Sequence, residues 1–151
     1  TFTFLGKDSI KFLFSANKGT EIKEIYKVAS GGELSRLMLI FSYLVSKFDN
    51  LSSIIFDEID TGVSGEIANL MSEMMLSMSK KRQIITVTHL PQIASKANTH
   101  FKVFKSEKNN RTISKIKKLK QPERVTEIAK MLSGKTVTEN SINNAKELLS
   151  Q

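Results

Sequence analysis

The sequence predicts an α/β fold: a parallel βαβ core with flanking antiparallel strands and helices toward the C-terminal end. Three observations predict it. Residues 52–57 (SSIIFD) and 83–88 (QIITVT) are apolar runs without alternation, as strands covered on both faces are. Between them Ile67, Leu70, Met71, Met74, Met75 and Met78 recur at helical spacing, and a strand, helix and strand in this order close as a right-handed crossover with parallel strands. Alternating apolar and polar residues near the start and again at 100–119 supply the antiparallel flanks.

The elements follow in order. Residues 1–28 read as β structure: Phe2 and Phe4 alternate with threonine, and Ile10, Phe12 and Phe14 alternate with Lys11 and Leu13. Asn17-Lys18-Gly19 supplies a turn. Ser30-Gly31-Gly32-Glu33 reads as a capping box. It opens an amphipathic helix carrying Leu34, Leu37, Met38, Phe41, Leu44 and Val45, which Asp49-Asn50 ends. After the first apolar strand and the loop from Glu58 to Val63, a helix is expected over about 64–79, with its methionine stripe packed in the core. Lys80-Lys81-Arg82 leads into the second strand, and Pro91 begins a short helix over 91–98. Residues 100–119 form a hairpin about Lys108-Asn109-Asn110, with Phe101, Val103, Ile113 and Ile116 available to face a sheet. Helices follow over about 122–133 and 138–149. No repeat or linker divides the chain, so residues 1–151 are one unit.

Composition bounds the function. The net charge of +8 excludes an acidic solvating tail, and the 40% hydrophobic content of the 151 residues argues for a packed core rather than disorder. The charge is uneven. Residues 1–75 hold 7 basic and 10 acidic side chains, net −3, whereas residues 76–151 hold 16 and 5, net +11. The basic half suits a polyanion partner or a merely solvated face. With no cysteine there is neither a disulfide framework nor a thiolate metal site, which fits a cytosolic protein. The most apolar run, 37–46, is bracketed by Arg36 and Lys47 and falls short of the roughly 20 residues a bilayer needs. The start is not that of a signal peptide, and beginning at Thr1 without methionine it is expected to be a piece of a longer chain.

In an open α/β sheet, ligands bind beyond the carboxyl ends of the parallel strands. Asp57 and Glu58 follow the first strand, and Thr88 and His89 the second. An adjacent acidic pair suits a magnesium nucleotide site, one carboxylate holding the cation and the other orienting water; the plainer reading is two solvated loop acids. Ser30-Gly31-Gly32 puts free N–H groups at a helix start where a phosphate can approach closely, or is only a turn. His89 alone is a ligand contact or a structural histidine. Nine basic residues against two acids between 102 and 124 fit phosphate contacts, or lysines guarding an edge strand.

Taken together, these residues resemble a known set. SGGELSR at 30–36 resembles the signature motif of ABC-type ATPases, and IIFDE at 54–58 resembles their Walker B strand with its catalytic glutamate. Asp60 and its neighbours are similar to the D-loop, and His89 to the switch histidine. More narrowly, FLFSAN at 12–17, KVASGGELSRLML at 27–39, FDEIDTGVSG at 56–65 and VTHLPQIAS at 87–95 resemble the C-terminal part of the RecN family, bacterial DNA-repair relatives of the SMC proteins.

The resemblance implies the C-terminal lobe of an ABC-type P-loop NTPase head, with ATP and Mg²⁺ as cofactors. It implies that Asp57 helps hold Mg²⁺, Glu58 polarises the hydrolytic water and His89 contacts the γ-phosphate region. Ser30, Gly31 and Gly32, with Glu33 beside them, would bind the γ-phosphate of a nucleotide held by a second head, and Asp60 would sit between heads. The implied protein is an ATP-hydrolysing DNA repair and recombination factor acting on double-strand breaks, cytoplasmic and nucleoid-associated. Its implied partners are DNA, an N-terminal lobe of the same protein and a second copy in an ATP-sandwiched homodimer, with no membrane. Lys115, Lys117 and Lys118 are the candidate DNA contacts. Two alternatives stand beside this: a basic nucleic-acid-binding module, and an ATPase head of another branch such as a transporter, against which FDEIDTGVSG and THLPQIAS argue. Residues 129–136 (AKMLSGKT) fit a relaxed P-loop pattern, but the preceding PERVTEIAKML is amphipathic helix, so Gly134 reads as a helix C-cap and the isolated chain is expected to be inactive.

Overall fold

The computed structural model describes every residue except 1–3, 5, 16, 17, 29, 49, 50, 64, 109, 110, 135 and 151. In chain order the elements are β1 (Leu13–Phe14), β2 (Lys23–Glu24), α1 (Ile25–Val28), α2 (Gly31–Val45), β3 (Ser53–Asp57), α3 (Gly65–Ser79) and β4 (Gln83–Val87). They continue with α4 (Pro91–Lys96), β5 (Phe101–Lys108), β6 (Arg111–Lys118), α5 (Gln121–Ser133) and α6 (Glu139–Ser150).

The βαβ unit forms as expected. β3 and β4 are parallel and in register from Ser53 opposite Gln83 to Asp57 opposite Val87, with α3 as the crossover. Leu39 of α2, Phe56 of β3, Met71, Met75 and Met78 of α3 and Ile93 of α4 form the main core, with Tyr43, Ile54, Ile84 and Leu90 packed against it. The next residue of α4, Ala94, belongs to a second core with Ile128, Ala129 and Ala145 from α5 and α6. A single short helix thus ties the βαβ unit to the C-terminal helix pair.

Several expectations change. The strands are covered on one face only: Ile54, Phe56 and Ile84 face the core, while Ile55, Ile85 and Val87 are 67, 44 and 50% exposed. Within α3 the core face is Ala68, Met71, Ser72, Met75 and Met78; Ile67 and Leu70 lie off it and are exposed. In α2 the side turned inward carries Leu39 and Tyr43, whereas Leu34, Met38, Phe41, Leu44 and Val45 are exposed. Both helices have more apolar positions than one face can hold, so periodicity alone did not choose the buried side. Met38, Phe41 and Val45 instead line an open groove of about 240 Å³ with Leu51 and Ile54.

The N-terminal β structure is reduced to two-residue strands, Leu13 opposite Glu24 and Phe14 opposite Lys23, followed by the single turn α1. Phe2 and Asn17 lie outside the described residues. α2 ends at Val45 with Ser46 as its C-cap, ahead of Asp49-Asn50, which also lie outside them. The hairpin register sets Phe101, Val103 and Ile116 on one face and Phe104, Ser106 and Ile113 on the other, so the four expected residues do not share a face. Gly134 caps α5 at φ 75°, its N–H bonded to the carbonyl of Lys130 at 2.8 Å, which removes the P-loop reading of 129–136.

The accessible surface is 11492 Å², whereas a compact monomer of 17.0 kDa exposes about 7,700 Å². The excess goes with exposed apolar side chains along the whole chain, among them Phe4 and Ile10 near the start, Phe48 after α2, Ile55 on β3 and Val103 and Ile116 on the hairpin.

Candidate functional site

β3 and β4 end side by side. The ladder runs one residue past β3, since the Glu58 N–H donates to the Val87 carbonyl at 3.1 Å, and then the chain turns sharply. Glu58 has φ 48°; among the described residues it is the only non-glycine with positive φ. A left-handed conformation costs a side-chain-bearing residue about 1–2 kcal/mol. It persists because the loop is held: the Thr61 hydroxyl donates to the Glu58 carbonyl at 3.0 Å and the Val63 N–H to the Asp60 carbonyl at 3.2 Å. The result is a tight turn with the carboxylates of Asp57 and Glu58 exposed at the strand end.

Asp60 differs from both, being 1% exposed and enclosed within the chain. The Thr88 hydroxyl donates to its Oδ2 and itself accepts the Leu90 N–H at 3.0 Å. Asp60 Oδ1 lies 3.7 Å from Nδ1 of His89, whose imidazole is 64% exposed. The loop after β3 is thus bound to the end of β4 by one buried carboxylate. Sequence reasoning noted Thr88 only as a polar strand end; a hydroxyl directly before His89 was the available signal for its grip on Asp60.

The third part of the site is the start of α2. Ser30 is its N-cap: the Ser30 hydroxyl accepts the Glu33 N–H at 3.3 Å, and the Glu33 carboxylate accepts the Ser30 N–H at 2.8 Å, completing the box. The Ser30 N–H, with a smaller contribution from its hydroxyl, lowers the Glu33 pKa below its ordinary value. Glu33 is therefore engaged with the cap. Gly32 packs against the loop after β3, where a Cβ would come within 3.0 Å of the Thr61 carbonyl; a Cβ on Gly31 would meet open space. The structure thus brings Ser30, Gly31 and Gly32 beside the loop that holds Glu58 and Asp60.

Lys115, Lys117 and Lys118 are exposed on β6 but do not form one patch. By alternation Lys115 and Lys117 share a face and Lys118 lies on the opposite one. Lys117 is ion-paired with Glu123 and Lys102 with Glu127, both acids on α5; the Lys117 contact lowers the Glu123 pKa. No cluster of three or more potential metal ligands occurs among the described residues. Asp57 and Glu58 nevertheless fit Mg²⁺ chemistry, in which one or two carboxylates act with nucleotide phosphates and water.

No protein-family model matches the chain. Over 146 residues, 97% of its length, it is 46% identical to DNA repair protein RecN of Bacillus subtilis (strain 168). In sequence this is a RecN-like chain. It spans about a quarter of the length of the curated RecN proteins it matches. Its fold is that of SMC ATPase heads. The Smc head domain with a coiled coil and joint from Pyrococcus yayanosii superposes with a TM-score of 0.60 at 20% identity, covering 76% of this chain and 21% of that one. An SMC ATPase studied for ATP-driven dimerization and DNA-stimulated activation gives 0.55 at 24% identity, covering 78 and 70%. Three of the four RecN-like motifs fall on the parts described above, the helix cap at Ser30, the strand end at Asp57 and the segment around His89; FLFSAN at 12–17 lies apart from them, at β1.

Proposed function

We propose that this RecN-like chain supplies the Walker B, signature, D-loop and switch-histidine elements of the ATP site in an ATP-hydrolysing DNA repair protein. The observation that carries the reading is the placement of exposed Asp57, Glu58 and His89 at the carboxyl ends of two parallel strands, with Gly32 of the α2 cap packed against Thr61 in the loop after Glu58. In this reading Asp57 holds Mg²⁺, which when bound would neutralise phosphate charge. Glu58, aimed by its left-handed turn, orients and polarises the attacking water, and His89 contacts the γ-phosphate region. Ser30, Gly31 and Gly32 offer N–H groups at the positive end of α2 to the nucleotide of a second copy, Gly31 on the open side and Glu33 locking the cap. Asp60 lies in the loop between these parts.

The remainder of the protein completes the site. Asp57 shares by alternation the bare face of β3 with Ile55, and parallel sheets are normally covered on both faces. An N-terminal lobe packed there would bury Ile55, Ile85 and Val87 and bring a P-loop to Asp57. DNA is the proposed macromolecular partner, with Lys115 and Lys117 on one face of the hairpin and Lys118 on the other as its candidate contacts, Lys117 exchanging its ion pair with Glu123 for phosphate; the setting is cytoplasmic, at the nucleoid. No helix among the described residues is long and apolar enough to cross a membrane.

The test is ATP turnover by the full-length protein. Glu58→Gln is expected to lower kcat about a hundredfold or more, and the 151-residue chain alone is expected to turn over negligibly. Full activity in Glu58→Gln, or brisk turnover by the chain alone, would refute this assignment.

A further inference from the structure

Asp60 is a buried carboxylate with one oxygen spoken for and one not. Oδ2 accepts from Thr88, whose hydroxyl is itself fixed by the Leu90 N–H, so the carboxylate cannot rotate freely. Oδ1 is shielded from solvent and accepts no hydrogen bond among the described residues. A buried acceptor left unmade is costly and calls for an explanation. The nearest ionisable donor is Nδ1 of His89, 3.7 Å away on a ring that is otherwise mostly in solvent. A small turn of the ring closes that gap into a hydrogen bond, as happens when sites tighten around a ligand.

We propose that Asp60 is a positioning residue for His89, fixing its Nδ1–H tautomer and turning Nε2 outward to the ligand. The proposal rests on the ATP-site reading for what Nε2 meets, though not for the tautomer itself. Nδ1–H donates to Asp60 Oδ1, so Nε2 is the nitrogen left for the ligand. In that tautomer Nε2 carries the lone pair and accepts a hydrogen bond, as from a water beside the ligand. An amide in place of Asp60 would present an N–H to Nδ1, driving the proton to Nε2 and reversing the ring's polarity without changing its surroundings in volume.

The experiment uses the full-length protein with residues 1–151 made from [¹⁵N]histidine, so that His89 and His100 are the two labelled histidines, assigned with His100→Gln. At about pH 8, where an ordinary histidine is neutral, ring ¹⁵N shifts are expected to show the proton of His89 on Nδ1. In Asp60→Asn it is expected on Nε2. With that change kcat for ATP is expected to fall about 10- to 100-fold with KM within about twofold. A wild-type ring protonated mainly on Nε2 overturns the proposal even if no variant folds. Turnover lost in Asp60→Asn with the tautomer unchanged also overturns it. His89→Ala with undiminished turnover would instead sink the assignment of His89 to the ATP site, leaving the tautomer measurement to decide the role of Asp60.

Discussion

The two faces of the β3/β4 sheet are built from the same residue types and meet opposite surroundings. Ile54, Phe56 and Ile84 lie against the methionines of α3; Ile55, Ile85 and Val87 one position away are in solvent. Side-chain chemistry therefore does not distinguish the face this chain covers from the face left for another segment. Position does. Asp60 is enclosed in the loop beyond β3, whereas Asp57 belongs to the bare side, so the candidate site straddles the boundary between what the chain completes alone and what it leaves open.

The sharpest way to break that contrast is to delete the same kind of bulk from each face. Phe56→Ala is expected to destabilise the 151-residue chain by about 3–5 kcal/mol in urea unfolding, because a cavity opens in the main core. Gly32→Ala comes next, at about 1–3 kcal/mol, since its methyl would lie 3.0 Å from the backbone carbonyl of Thr61, which cannot swing aside as the Arg36 guanidinium 3.3 Å away can. Ile55→Ala is expected to change the isolated chain by less than about 0.5 kcal/mol. In the full-length protein the same change is expected to cost about 2–4 kcal/mol if the bare face is covered there. Equal effects of Ile55→Ala in the two contexts would mean that this face stays open.

The smallest effect concerns pH, away from both faces. Burial, and next the charge of Arg124, lowers the His100 pKa below its ordinary 6.5; Lys102 acts in the same direction and Glu127 opposes. The unfolded chain then takes up a proton before the folded one does. Stability is expected to be full above about pH 6.5 and to fall as acidification continues toward the folded value. His100→Gln should flatten that slope; an unchanged slope would assign the acid sensitivity to other groups.

Much of the fold was legible because two kinds of signal are local. The βαβ unit, the hairpin and the helix pair follow from periodicity and turn residues, and both the capping box at Ser30 and the C-cap at Gly134 formed as read. The choice of buried face was not legible: α2 and α3 carry apolar residues around more than half their circumference, and which side is covered depends on partners distant in sequence. The N-terminal segment yielded only two-residue strands, since alternation makes a strand possible while a neighbour must supply the ladder. At the site, Asp57, Glu58 and His89 stood out by residue type and position after a strand. The locking of Asp60 by Thr88 and the contact of Gly32 with Thr61 arise only once the loops are folded onto each other.

The left-handed backbone at Glu58 has a consequence for directed evolution. Glycine adopts that conformation without a steric penalty and asparagine with little, so a library sorted for heat resistance alone is expected to enrich either at this position. Sorting the same library for turnover is expected to restore glutamate. Two rounds of selection pulling one codon in opposite directions would measure how much foldability this turn gives up to aim its carboxylate.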